Sequence, residues 1–258
     1  MTTLITRPLS LVALVDPDLS TFPPETVVHP VMLQRWECVS FVHWPCEPRD
    51  VQRLLPPGIE VDTFDGTAWI GLVPFRLATR LPGLSLLPPA IRSVEANVRT
   101  YVRGPDGRRG IWFFSLEAER LSLVLVARGW YHLPYKWARM ELRREGDRVR
   151  YESYRRWPSA GPRLAMTLTV GERLGPADHS PLERFLTCRW RLYSSTPEGV
   201  AVTRVEHEPW TLHRARLTGL QENLFAASRL PRVGGEPLVH HSPGVHARFA
   251  RRRPLPPV

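Results

Sequence analysis

Apolar and polar residues alternate along much of this chain with the two-residue period of strands. Aromatic and β-branched residues fill runs at 36–44 (WECVSFVHW), 67–75 (TAWIGLVPF), 95–103 (EANVRTYVR) and 111–118 (IWFFSLEA). Runs at 121–127, 138–144, 148–155, 163–170, 189–193, 200–206 and 215–218 read as strands on the same grounds, because such side chains fit a pleated surface. Gly104-Pro105-Asp106-Gly107 predicts one hairpin turn and Glu145-Gly146-Asp147 another. Many short strands at close spacing predict a mainly β fold, an antiparallel barrel or sandwich with few helices. Short helices are expected at 48–55, ended by Pro56-Pro57-Gly58, at 180–188, opened by the capping box Ser180-Pro181-Leu182-Glu183, and within 219–227. Residues 1–30 carry Pro8, Pro17, Pro23, Pro24 and Pro30 with little periodicity and are expected to form an extended arm. Residues 31–254 are expected to form a single domain.

Composition narrows the class. Of 258 residues, 43% are hydrophobic and 23% charged, enough for a packed core. No apolar run approaches the ~20 residues of a membrane span. The apolar patch at 9–15 runs into Asp16-Pro17-Asp18 without a small-residue cleavage site, so no secretory leader is expected and the protein reads as cytoplasmic. Cys38, Cys46 and Cys188 lack metal-ligand spacing and are expected as reduced thiols. The net charge of +10 raises the question of nucleic acid, but the arginines are spread along the chain and alternate with glutamates; nucleic-acid binding ranks last. A homo-oligomer is compatible with the sequence.

Known signatures for nucleotide, zinc and serine-hydrolase chemistry are absent, and no metal or cofactor is expected. In His207-Glu208-Pro209-Trp210-Thr211-Leu212-His213 the histidines are too far apart, with a proline between them, for a zinc helix. His240, His241 and His246 are expected at the surface or an interface. Lys136 is the only lysine among 35 basic residues, and it lies among Trp130, Tyr131, Leu133, Pro134, Tyr135 and Trp137. Burial disfavours the ammonium and makes the amine a nucleophile, a role arginine cannot fill. A survivor snorkelling from a strand end is the bland alternative. Glu95, Asn97, Arg99 and Tyr101 share one face of a strand, which is either solvated or a polar pocket.

Six segments carry a resemblance: 55–69 (LPPGIEVDTFDGTAW), 97–102 (NVRTYV), 112–116 (WFFSL), Ala127-Arg128, Leu133-Pro134-Tyr135 and Ser242-Pro243-Gly244-Val245. Together they resemble the YqjF-like family of uncharacterised bacterial proteins, in consistent order from about residue 31 to about residue 254. That family is placed in the acetoacetate-decarboxylase-like superfamily. The resemblance therefore implies a strongly bent antiparallel sheet closing into a barrel or cone around an apolar cavity. The decarboxylases carry G-R-E and then P-K-K, whose first lysine forms the Schiff base. This chain reads Ala127-Arg128-Gly129 and Pro134-Tyr135-Lys136, so Tyr135 stands at the nucleophile's position and Lys136 at the second, assisting one. Glu95 matches an active-site glutamate on a preceding strand.

The expectation is a lysine-dependent, lyase-like enzyme acting on a small oxo-acid or carbonyl compound. Lys136 serves as nucleophile or electrostatic clamp, Glu95 as acid/base and Tyr135 as hydrogen-bond donor, while Arg128, Arg99 and Asn97 hold the substrate. The rival is a non-catalytic binder of apolar or aromatic small molecules.

Overall fold

The computed structural model describes residues 16–82, 90–175 and 178–256. In chain order the elements are β1 (Met32–Cys46), α1 (Pro48–Gln52), β2 (Glu60–Val61), β3 (Ala68–Arg80), β4 (Ile91–Arg103), β5 (Arg109–Ala118), α2 (Leu121–Tyr131), β6 (Tyr135–Glu145), β7 (Arg148–Trp157), β8 (Arg163–Arg173), α3 (Pro181–Thr187), β9 (Arg191–Thr196), β10 (Gly199–His207), β11 (His213–Glu222), α4 (Leu224–Ala227), β12 (Leu238–Phe249) and β13 (Arg253–Pro254). Among the described residues no helix is long and apolar enough to cross a membrane.

The mainly β expectation holds. One sheet runs β5-β6-β7-β8-β11-β12-β1-β3-β4 and closes through a β4–β5 pairing into a nine-strand barrel. β9 and β10 form a second arc, from β5 back to β12. β12, β1, β3, β4 and β5 thus belong to two rings at once. Both expected hairpin turns form: Gly107 N–H bonds the Gly104 carbonyl at 2.9 Å between β4 and β5, and Gly146 takes φ +60° between β6 and β7. Ser180 caps α3 as its sequence predicts, with Glu183 reciprocating.

The alternation on the shared strands divides the interior. Val94, Ala96 and Val98 of β4 join Ile70 and Leu72 of β3 and Met140, Leu142, Met166 and Leu168 in a solid core inside the nine-strand barrel. Glu95, Asn97 and Arg99 take the opposite face and are buried too. On β1 a bulge relative to β3 falls between Glu37 and Val42, with Cys38 in the left-handed region at φ +50°. An extra residue changes a strand's phase. Met32, Gln34 and Trp36 before it therefore share a side with Val39 and Phe41 after it, while Val42 and Trp44 turn to the solid core. Gly244 lies opposite, at φ +135°; a Cβ there would come within 1.9 Å of the Trp36 carbonyl oxygen, so only glycine fits.

Three expectations need correction. Residues 121–127 are helix α2, not a strand. The run is apolar but for Ser122 and carries no sustained two-residue period; as the link between the parallel strands β5 and β6 it must cross over, and a helix does so. Within 219–227, Gly219–Glu222 continues β11 against β8, with Gly219 at a register shift, and only Leu224–Ala227 is helical. His240 and His241 are buried, not superficial, because β12 lies between β1 and β11 inside the closed sheet. His240 meets Glu183 at 2.8 Å and His241 meets Ser40 at 3.1 Å, while His246 is exposed beside Glu208.

Residues 16–30 follow the barrel and are tied to it by charge. Asp18 receives Arg108 and Arg191, and Glu25 receives Arg191 and Arg204. Below them Asp62 is buried between Arg109 and Arg189, with Arg189 Nη1 at 2.8 Å. Removing one partner of a buried pair strands the other. Asp62→Asn is expected to cost ~3–5 kcal/mol in urea-denaturation stability, the range for breaking such a pair; an unchanged midpoint would mean that the two guanidiniums find other partners.

Candidate functional site

The second compartment is a hollow of about 700 Å³. Its walls come from β1, β3, β4, β5, the start of β6, β9, β10 and α2, with Phe249 of β12 closing one side. Most of the lining is apolar and aromatic: Trp36, Phe41, Phe75, Phe113, Trp210 and Phe249, with Val and Leu between them. α2 contributes Leu123, Val126, Ala127 and Tyr131, a helical spacing that explains why a helix rather than a strand serves here. A mostly apolar concavity with a few convergent polar groups is the usual form of a small-molecule site.

Four of the six expected site residues meet in it. Glu95, Asn97 and Arg99 project from alternate positions of β4, and Tyr135 from the start of β6. The strand face that the sequence left open between solvent and pocket is a pocket. The Tyr135 hydroxyl donates to Glu95 Oε2 at 3.1 Å. Burial pushes the Glu95 carboxyl up to about 8, and the Tyr135 hydrogen bond offsets only part of that. Tyr135 is itself held well above the usual phenol range, first by burial and then by Glu95. At neutral pH the pair is a carboxylic acid that accepts from a phenol and keeps its own O–H to donate.

Arg99 differs from its neighbours. Arg189 and Arg191 also line the hollow, but Asp62 neutralises the first, and Asp18 and Glu25 the second. Among the described residues no carboxylate pairs with Arg99. Its Nη2 donates to the Tyr101 hydroxyl at 3.2 Å and to the Leu186 carbonyl at 3.1 Å, and its Nε has no partner. Its Cζ lies 5.5 Å from the ring centroids of both Phe41 and Tyr101, which offsets part of the desolvation. The Tyr101 hydroxyl donates to the Leu186 carbonyl at 2.8 Å and also meets His43 Nε2, so the guanidinium rests on a fixed phenol. The Asn97 Oδ1 is buried without a partner, midway between Glu95 and Arg99.

Lys136 and Arg128 lie elsewhere. Tyr135 faces the hollow, so the next residue on the strand turns away from it. Lys136 is half-buried beside the ion pair of Glu117 and Arg155. Its amine is held below the usual lysine value by burial, then by Arg155 and Arg128, against the pull of Glu117. Arg128 donates to the Tyr135 carbonyl at 2.9 Å and lies 4.8 Å over the Trp157 ring, so it braces the strand from behind. His207, Trp210 and the paired arginines are lining residues that sequence reading did not select. Only the His207–Trp210 segment drew notice there, as a failed zinc motif.

The carboxyl of Glu95 sets a pH dependence. Its folded value is raised above its unfolded one, so between about pH 4.5 and about 8 the unfolded chain has lost a proton that the fold retains. Stability therefore falls as pH rises through that window. Glu95→Gln removes the effect: the melting temperature of the variant is expected to gain on the parent steadily from pH 5 to pH 8.5. A constant difference across that range would indicate an ordinary carboxyl.

Comparison with known proteins identifies the chain. The family model DUF2071, described as an uncharacterized conserved protein, matches residues 33–246. The uncharacterized protein YqjF of Bacillus subtilis (strain 168) is 33% identical over 213 residues, covering 82% of this chain and 87% of that one. Among solved structures, an acetoacetate decarboxylase-like enzyme from Sphingomonas wittichii RW1 superposes with a TM-score of 0.62 at 17% identity, covering 91% of this chain and 97% of its own. The enduracididine biosynthesis enzyme MppR, complexed with the condensation product of pyruvate and imidazole 4-carboxaldehyde, gives 0.61 at 16% identity, with 90% and 93% covered. At such identities the structures report the fold alone, the acetoacetate-decarboxylase-like one that the sequence implies. The protein belongs to the DUF2071 family, alongside YqjF.

Proposed function

We propose that the hollow binds a small, largely apolar carboxylic acid, with the carboxylate on Arg99 and the far end against Glu95 and Tyr135. The observation that carries this reading is the guanidinium of Arg99, buried in an apolar chamber without a carboxylate of its own. A charge kept out of water without a counter-ion costs several kcal/mol, and a ligand carboxylate supplies the missing partner. Arg99 and Glu95 are four residues apart on one strand, about 13 Å between Cα atoms. That span suits an acid of aryl or short acyl size, with the Asn97 amide alongside its middle.

A carbonyl at the far end receives the hydrogen bond of the protonated Glu95, whose Oε2 accepts from Tyr135. Glu95 gives its proton to the carbonyl oxygen as water takes one from the adjacent carbon, which leaves the enol and a Glu95 carboxylate that recovers a proton from solvent. This is acid–base chemistry on an oxo-acid without an imine. MppR was solved with pyruvate, which agrees with an oxo-acid as the class. The imine version through Lys136 draws no support from an amine on the far side of the β6 wall. A purely binding role remains the second reading, favoured by the tyrosine at the position where the decarboxylases carry their nucleophile.

Two measurements test these readings. In calorimetric titration with phenylacetate, Arg99→Gln is expected to weaken binding by roughly 10–100-fold, the value of a charged hydrogen bond; equal affinity in both proteins would refute the anchor. In D2O, the protein is expected to accelerate exchange of the C3 protons of 4-oxopentanoate, whose ketone lies away from its carboxylate, with Glu95→Gln losing the effect and Lys136→Arg keeping it. Binding without exchange would leave the non-catalytic reading, and loss in Lys136→Arg would restore the imine.

A further inference from the structure

His207 stands at the Arg99 end of the hollow and has no part in the proposed role of Glu95 and Tyr135. It ends β10, is buried, and lines the cavity. Its ring is held in an aromatic cage, 4.5 Å from Trp190, 4.7 Å from Trp210 and 5.8 Å from Trp36. Phe41 links this cage to the anchor, 5.5 Å from the Arg99 guanidinium and 5.0 Å from Trp210.

One hydrogen bond fixes the ring's chemistry. Nδ1 lies 2.6 Å from the carbonyl oxygen of Glu208. A carbonyl only accepts, so Nδ1 carries the proton. Nε2 is then a bare lone pair, and no described hydrogen bond reaches it. Burial, with Arg99 adding to it, holds the imidazole near 4, so the ring is neutral at physiological pH. A neutral acceptor within electrostatic reach of a cation, on the wall of the same hollow, reads two features of one ligand: an anion and, near it, a donor.

We infer that the acid taken by this hollow carries a hydroxyl close to its carboxylate, and that Nε2 of His207 accepts the hydrogen bond from it. This rests on the carboxylate reading above and narrows it to hydroxy acids, or to oxo-acids in their enol form. The aromatic walls favour an aryl body. A keto oxygen offers no donor and leaves Nε2 unpaired, which disfavours the keto form at this end.

The test compares mandelate, phenylacetate and 2-methoxy-2-phenylacetate by calorimetry. Mandelate is expected to bind about tenfold tighter than phenylacetate. The methoxy acid keeps the oxygen without the donor and should lose that gain. His207→Phe should erase the gap while holding phenylacetate within about twofold of the parent. The comparison among the three acids needs only the parent protein and decides the matter even where the variant folds poorly. Mandelate and phenylacetate binding equally, or a gap that survives in His207→Phe, overturns the inference and leaves the Arg99 anchor standing. Failure of all three acids to bind removes the carboxylate reading and this inference with it.

Discussion

β4 is a strand without a solvent face. Its even positions, Val94, Ala96 and Val98, close a solid core, and its odd positions, Glu95, Asn97 and Arg99, line a hollow. A strand exposes side chains on two sides only, so a sheet shared between two rings must satisfy both at once. The core side takes small and branched apolar groups that pack without voids. The other side can then carry polar groups at a fixed spacing on a backbone that does not shift, the condition for a preorganised site.

Charge is distributed by the same economy of partners. Four arginines line the hollow; Arg80 is exposed, and two of the three buried ones are neutralised from outside it: Arg189 by Asp62, and Arg191 by Asp18 and Glu25. Residues 16–30 thus set the field of the chamber without lining it. The remaining buried positive charge is on Arg99, held by Tyr101 and the Leu186 carbonyl. At the other end burial keeps the Glu95 carboxyl protonated near neutrality. The hollow is therefore mostly apolar, with Glu95, Asn97 and Arg99 in a polar row along β4 and a single sign of charge.

Much of the architecture was legible in the alternation and in the turns. The two hairpin loops, the α3 capping box and most strands follow from local chemistry. Residues 121–127 misled because a nearly continuous apolar run looks alike in either state, and the need for a crossover between parallel strands is a tertiary fact. The alternation at 95–101 gave the right face but not what covered it. The error over Lys136 has the smallest physical cause: one residue along a strand reverses the side, and Tyr135, not its neighbour, faces the chamber. His207 was read only as part of a failed zinc motif, because its role depends on Glu208 turning back a carbonyl and on Trp36 and Trp190 arriving from other strands and loops.

The bulge at Cys38 and the glycine opposite it have a use beyond this molecule. They divide β1 into two halves whose hydropathy runs out of step, so the phase slip is written in the letters themselves. Any relative can be inspected for it without coordinates, together with a glycine in the Ser-Pro-Gly-Val segment. A homologue with an unbroken rhythm there would turn the counterparts of Met32, Gln34 and Trp36 to the other side of its sheet. Its chamber would be furnished differently, and kinship across the rest of the chain would not warrant a shared ligand.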